Sequence, residues 1–365
     1  MVPSSGRESG APRPEGPAGR IRELLAYALL APSRHNTQPW LFEIEGDELR
    51  VYPDATRALP EADPEGRQLV MSCGAAVVNF RVAAAHHGFA TSVEVPPVHR
   101  RDGLLARVRL EERAATSEGV EELFQAIPRR RTNRLPLDGR EPPEGLVTAL
   151  LREARFEGVS LRPVDAPVRR AVAELVAEGD QLQWSNPRFR AELARWTRPN
   201  GTDRRDGMPG FALGMSDAAA LVQPVLVRVT NPARAEADRD RRRALGTRAL
   251  LVLSTRGDGE REWFAAGEAL QRVLLRATTR GLSASYFAQP IETRSLRAAL
   301  RGALGESGLP QVMLRVGYGL DLRAMPRRPV EAVLRSVAGA SPRPAPLALR
   351  TPLPAPFPEA SSPVA

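Results

Sequence analysis

Apolar residues recur at helical spacing over 21–30 and stop at Ala31-Pro32. After Pro39 a short apolar run, Leu41-Phe42-Glu43-Ile44, opens a pair of strands near 40–45 and 48–52, and Glu45-Gly46-Asp47 between them is a hairpin signal. Met71, Ala75, Val78, Val82 and Ala85 mark a long helix over about 63–87 that ends at Gly88. Strands near 91–95 and 104–110 and a helix near 119–127 follow. Beyond an arginine-rich run the pattern predicts a helix from near Pro143, a strand over 159–164 and helices over 166–184 and 187–196. Residues 197–217 show little periodicity and are long for a plain connection, so they read as a lid, a binding segment or disorder. The remainder reads as a strand near 222–229, a basic helix near 232–244, a strand at 248–254 and a helix over 259–280. Strands at 283–288 and 310–316 then bracket a helix near 292–304. Residues 1–19 and the Pro/Ala-rich 339–365 read as disordered tails.

The pattern repeats. Gly74 and Gly267 are 193 positions apart, and so are Gly88 and Gly281. In each half a long helix carries the first glycine near its middle and ends at the second, and a strand with Ser92 or Ser285 follows. Leu105-Ala106-Arg107-Val108 echoes Met313-Leu314-Arg315-Val316. The expectation is an α+β chain of two fused halves, 20–118 and 119–338, mimicking a homodimer, so that a monomer suffices. Only the first half carries Pro32-Ser33-Arg34-His35-Asn36, and only the second carries an arginine run, ahead of its helix near Pro143. Each keeps what the other lacks, which points to one composite site.

With 365 residues, 42% hydrophobic and 26% charged, the chain has the makings of a large globular core. The net charge of +9 raises nucleic acid as a partner, but all 52 basic residues are arginine and they are scattered among 43 acids rather than gathered in a stripe. Nucleic acid is therefore not the expected partner. Cys73 has no partner for a disulfide and sits in an apolar helical run, where core packing is its natural role. His35, His86, His87 and His99 lack metal-ligand spacing. Without an 18-residue apolar run or a signal-type segment near the start, the expectation is a cytoplasmic chain and no membrane.

Three stretches carry candidate chemistry. Ala31–Trp40 places Ser33, Arg34, His35, Asn36, Thr37 and Gln38 between two prolines: hydrogen-bonding groups for a polar heterocycle, or a polar connection with helix-end duties. Arg129-Arg130-Arg131-Thr132-Asn133-Arg134 suits a phosphate dianion, or is a solvated cluster; Arg327-Arg328 is a second basic pair. Gln289-Pro290-Ile291-Glu292 opens a helix after a strand, a place that favours electron-rich ligands and is equally an ordinary helix start. No GxGxxG after a strand, GxxxxGK[ST], HExxH or GxSxG occurs.

Taken together, PSxxNxQPW, RRxxxR, PIE and the terminal RRPVEAVL resemble the flavin-binding motifs of the nitroreductase superfamily, over most of residues 20–336. The fused layout is most similar to its single-chain Acg-type branch. The resemblance implies a nitroreductase-like sheet-and-helix sandwich with FMN between the halves. It places Arg130, Arg131, Thr132 and Arg134 on the phosphate- and ring-contacting segment, and Pro32, Ser33, Arg34 and Asn36 on the loop that reaches the flavin from the other half. Pro290, Ile291 and Glu292 fall along the isoalloxazine, and Arg327 and Arg328 at the phosphate. Thr293 stands where the family often has glycine. The implied activity is hydride transfer from NAD(P)H through FMN to a small acceptor such as a nitroaromatic or quinone, with no catalytic acid or base supplied. The long segment at about 180–217 resembles a lid that shields FMN, which leaves FMN sequestration as the alternative.

Overall fold

The computed structural model describes residues 16–96, 103–112, 119–156, 158–305 and 307–335. Helix α1 (Gly16–Ala28) leads to a hairpin, β1 (Trp40–Glu45) and β2 (Glu48–Pro53), and then α2 (Arg67–His86), β3 (Ala90–Glu94) and β4 (Ala106–Glu111). Helices α3 (Val120–Ala126) and α4 (Leu146–Phe156) precede β5 (Ser160–Pro163), α5 (Ala166–Ser185) and α6 (Pro187–Trp196). Two short strands, β6 (Thr197–Arg198) and β7 (Met208–Pro209), introduce α7 (Asp217–Val229), α8 (Ala233–Gly246) and β8 (Ala249–Thr255). The chain closes through α9 (Glu260–Thr279), β9 (Ser283–Tyr286), α10 (Gln289–Glu292), α11 (Arg294–Leu304) and β10 (Leu309–Gly317).

Two four-stranded antiparallel sheets share one plan. The order is β1-β2-β4-β3 in one and β5-β8-β10-β9 in the other, so each runs first, second, fourth, third in its own chain order. In each, the helix that follows the second strand, α2 or α9, packs centrally. These two helices touch backbone to backbone: a Cβ on Gly74 would lie 2.2 Å from the Phe264 carbonyl oxygen, and one on Gly267 would lie 2.0 Å from that of Met71. Glycine at both positions is what allows the approach. Gln271 Nε2 donates to Asn79 Oδ1 at 2.6 Å across the same seam. Strand pairing sets Ser92 opposite Arg109 and Ser285 opposite Arg315, so Arg109 rather than Arg107 is the counterpart of Arg315.

The sheets differ in how they are covered. The first alternates: Trp40, Phe42, Leu49, Val51, Ala106 and Val108 face the core, while Glu43, Arg50, Glu48, Arg107 and Glu94 form a charged ladder on the other face. In the second, all seven residues of β8 are buried. Leu251 and Leu253 join the core shared with α9, and Leu250 and Val252 pack under α5, α8 and α11 with Val172, Ala244 and Leu300. α2 is the described helix long and apolar enough to span a membrane, and 83% of that apolar window is buried inside the molecule.

Two sequence expectations change. Residues 222–229 form not a strand but the second half of α7, whose start is capped by Ser216 accepting from Ala219 N at 3.3 Å. The β-branched run Val222–Val229 suggested a strand; the capped Asp217-Ala218-Ala219-Ala220 turn ahead of it propagates a helix instead. The first helix begins at Gly16, inside the expected tail, whereas residues 180–196 form the end of α5 and α6, the two helices expected there. The expected tails over 1–15 and 339–365 lie outside the described residues.

Candidate functional site

Between the outer face of the second sheet, α5, α8 and the segment 197–217 lies a cavity of about 380 Å³, within the range of small-molecule sites. Ser33, Arg34 and His35 line it from one side and Thr132 and Arg134 from another. Gln289 and Ile291 contribute from the α10 turn, and Met208, Leu213 and Met215 from the segment 197–217.

The loop after α1 is wound tightly. His35, Asn36 and Gln38 have φ of 49°, 56° and 52°, left-handed conformations that side chains other than glycine adopt at a cost. Its polar residues hold that shape. Ser33 Oγ accepts from Gln38 N at 2.9 Å, Asn36 Nδ2 donates to Gly207 O at 3.0 Å, and Gln38 Nε2 donates to Arg205 O at 2.7 Å. Asn36 and Gln38 are therefore spent on the loop and on the segment 197–217, leaving Ser33, Arg34 and His35 at the cavity. His35 is held neutral: burial pushes its pKa well below the usual histidine value, with Arg34 and Arg134 adding to the effect.

The arginines divide in the same way. Arg131 donates to the carbonyls of Leu322, Pro128 and Arg130. Arg130 reaches Thr132 Oγ1 at 3.3 Å and Leu30 O at 3.4 Å, and burial lowers its pKa to about 10. Arg327 clamps the end of the first helix through Leu29 O at 2.8 Å, Leu30 O at 3.3 Å and Ala31 O at 3.2 Å, and also holds Asn36 Oδ1 at 3.0 Å. Arg328 bonds Gln38 O at 3.1 Å and pairs with Asp54 at 3.5 Å. None of these four lines the cavity. Arg134 does, and among the described residues it makes no hydrogen bond or ion pair.

Glu292 is taken up as well. Its carboxylate, with 3% of its side chain exposed, pairs with Arg34 at 2.9 Å and accepts from Gln183 Nε2 at 2.5 Å and from Gln68. Burial raises its pKa against the pull of Arg34 and the two amides. The pair fixes the Arg34 guanidinium at the cavity wall. Pro290 is buried beneath, and the Thr293 amide is turned back to Gln289 O at 3.4 Å. Sequence reasoning missed Gln68, Gln183, Tyr286, Asp180 and Asp240, all at the cavity. One signal was available for Asp180: Gly179 before it interrupts a helix, and a Cβ there would lie 2.6 Å from Gln289 Cβ, marking a close approach.

The segment 197–217 is pinned. Asp206 accepts from Arg57 at 2.9 Å and from Arg198 at 3.1 Å. Burial works to raise its pKa, but the two guanidiniums outweigh it and hold the carboxyl below the usual aspartate value. Asp206→Ala is expected to keep the fold and to speed limited trypsin cleavage after the exposed Arg204 and Arg205 by about tenfold, the effect of an opening equilibrium shifted by about 1.4 kcal/mol. An unchanged cleavage rate would show that the segment is held by its other contacts.

No family model matches the chain. An uncharacterized protein of Mycobacterium tuberculosis is 33% identical over 331 residues, covering 86% of this chain and 92% of that protein. Two further proteins of that organism carry the name NAD(P)H nitroreductase. One is 31% identical over 322 residues, 87% of this chain and 91% of the relative. The other, named acg, is 30% identical over 322 residues, 86% of this chain and 94% of the relative. Among solved structures, a nitroreductase from Anabaena variabilis aligns with a TM-score of 0.44 at 10% identity over 86% of this chain and 90% of its own. The FMN-dependent nitroreductase NfnB of Mycobacterium smegmatis, solved with NADPH, aligns with a TM-score of 0.37 at 16% identity over 59% of this chain and 98% of its own. The chain belongs to the nitroreductase superfamily. Its relatives at 30% and 31% identity, matched over nearly their whole length, place it in the Acg-type branch.

Proposed function

We propose that the chain is an FMN-dependent oxidoreductase that draws hydride from NAD(P)H and delivers it to a small oxidised acceptor, a nitroaromatic or a quinone. The observation that carries this reading is the chemistry of the cavity's Ser33–Thr132–Arg134 end. Arg134 faces it without an acceptor among the described residues, and buried Arg34 Nε and His35 Nε2 have no hydrogen-bond partner. Such groups fit an anion and the oxygen- and nitrogen-rich edge of a flavin. The relatives named as NAD(P)H nitroreductases support the same assignment.

When bound, FMN supplies the two-electron chemistry, and the protein supplies binding and orientation. Arg134 and Thr132 would hold the phosphate or the anionic ring edge. Arg34, braced by Glu292, brings a second positive charge to the wall. The apolar Met208, Leu213, Met215 and Val227 exclude water from the acceptor side. The repeated strand order and the 193-residue spacing support descent from a fused pair, in which one chain forms a complete site. Light scattering is then expected to find a monomer able to bind one FMN.

Arg134→Ala is expected to weaken FMN binding by about 100-fold, the worth of one charge-assisted contact, with an unchanged melting temperature. Arg131→Ala is expected to do the reverse, since Arg131 serves backbone carbonyls. Flavin fluorescence titration beside thermal melts reads both; equal FMN affinity in Arg134→Ala would remove the proposed anion site. A second reading, FMN sequestration, is favoured by the pinned lid segment. Anaerobic spectra separate the two: bands bleached by NADH or NADPH support turnover, whereas bands that bleach with dithionite alone support sequestration.

A further inference from the structure

We propose that Asp180 is a carboxylic acid that donates the proton to the acceptor reduced in this cavity. The inference rests on the oxidoreductase reading above, but its geometry stands apart from the motifs that led there. Asp180 lies on α5, lines the cavity and is 2% exposed. Its Oδ1 accepts from Gln289 Nε2 at 2.9 Å, and its Oδ2 is buried without a hydrogen-bond partner. The same Gln289 amide donates to Asp240 Oδ2 at 3.1 Å, so one NH₂ group bridges two carboxyl groups and has both protons committed. Asp240 is neutralised from its other side by Arg243, which donates to Oδ1 at 2.8 Å. Asp180 has no such partner. Of two close carboxyls sharing one bridge, the one without a cation takes the proton, and Oδ2 then becomes an O–H donor at the cavity wall.

The charges around Asp180 agree. α8 presents Glu236, Arg239, Asp240 and Arg243, with Glu236 paired to Arg239, and α10 presents the neutral amide of Gln289 and the Glu292 carboxylate, which is paired with Arg34. α11 sends Arg294 to Glu65, Arg297 to Asp258 and Arg301 to Ser307 O. α6 sends Glu192 to the amides of Glu61 and Ala62, and Arg315 on β10 is taken by Ser285 Oγ and Leu135 O. Burial, reinforced by the Asp240 charge and opposed by Gln289, Arg239 and Arg243, raises the Asp180 carboxyl to about 7.

The step balances for a quinone. The acceptor gains a hydride that originates in the reduced nicotinamide, and one carbonyl oxygen takes the proton from Asp180 Oδ2. An O–H bond forms there as the carboxyl O–H bond breaks. The hydroquinone has gained two electrons and two hydrogens, and the Asp180 carboxylate, facing the Asp240 anion, recovers a proton from water. In a wall of Met208, Met215, Phe189 and Trp184, an acceptor left anionic would be poorly solvated, and that is the need the acid meets.

The test uses the full chain loaded with FMN. An infrared titration follows the protonated-carboxyl band absent from Asp180→Asn, and kcat for a water-soluble benzoquinone is measured over the same pH range. The band is expected to vanish as pH rises through about 7, with kcat falling alongside it. Asp180→Asn is expected to lower kcat by about 100-fold, flatten that limb and leave KM little changed, with partial rescue in Asp180→Glu. Asp240→Asn, which removes the facing charge, is expected to move the band's loss to lower pH. An Asp180 ionised throughout the acid range overturns the proposal. So does an Asp180→Asn variant with wild-type kcat and pH profile while the wild type turns over; that outcome leaves the oxidoreductase reading standing. A wild type that bleaches with nicotinamide but reduces no acceptor overturns the donor role, and one that never bleaches with nicotinamide overturns the oxidoreductase reading itself.

Discussion

Gly267→Ala is expected to destabilise the protein by about 3 kcal/mol or more, at the severe end of overpacking substitutions. The added methyl would lie 2.0 Å from Met71 O and 2.7 Å from both Met71 C and Cα, so the clash is with backbone and no rotamer relieves it. The α2 and α9 helices must separate, and they carry the core shared by both sheets: Cys73, Val77, Phe80, Phe264, Leu270 and Leu274. The same substitution at Gly302, in α11 with nothing within 4 Å of the new Cβ, is expected to be neutral or to stabilise by up to about 1 kcal/mol. Urea unfolding of the two variants side by side gives the comparison. A Gly267→Ala protein as stable as Gly302→Ala would mean that the helix contact relaxes freely.

Arg34→Ala should cost about 3–5 kcal/mol near neutral pH, because it leaves the Glu292 carboxylate buried without its ion-pair partner, held by the neutral amides of Gln68 and Gln183 and by the nearby charge of Arg67 alone. The deficit should depend on pH in a definite direction. Burial already raises the Glu292 pKa in the folded protein, and without Arg34, which opposes that rise, it climbs further. Between the unfolded glutamate value and this raised one, the native state binds more protons than the unfolded chain, so stability increases as pH falls through that window. The variant is therefore expected to lie closest to wild type near about pH 5 and furthest below it near about pH 8. Glu292→Gln in the Arg34→Ala background should recover part of the loss at the higher pH. A deficit that does not change between the two conditions would show that Glu292 is not the group left unpaired.

These expectations locate the limits of reading the chain as a string. Helical periodicity was enough to find α2 and α9, because a helix buried on every side still needs small residues where it meets its partner, and Gly74 and Gly267 advertise that need at matching places. The hairpin at Gly46 and the continuous apolar run of β8 were equally legible, since turn chemistry and burial act on neighbours in sequence. α7 was not, because its apolar, β-branched residues face solvent in part, with Leu221, Val225 and Val229 exposed, and local composition then says little about the element.

The candidate site divides along the same line. The motif positions at 32–36, 129–134, 289–292 and 327–328 were visible by residue type, and so was the superfamily they resemble. Tertiary structure decided how each side chain is used. Arg131, Arg327 and Arg328 are drawn off by main-chain carbonyls that no sequence position announces, and Asn36 by the Gly207 carbonyl 171 residues away. Arg134 keeps a guanidinium for the cavity because none of the described residues bonds to it. The Asp180–Gln289–Asp240 bridge joins three elements far apart in the chain, and its proton is set by burial and by a facing charge. Residue type and spacing along the chain therefore determined which groups are available, whereas desolvation and partner choice, which exist only once distant segments pack, determined which of them remain free to act.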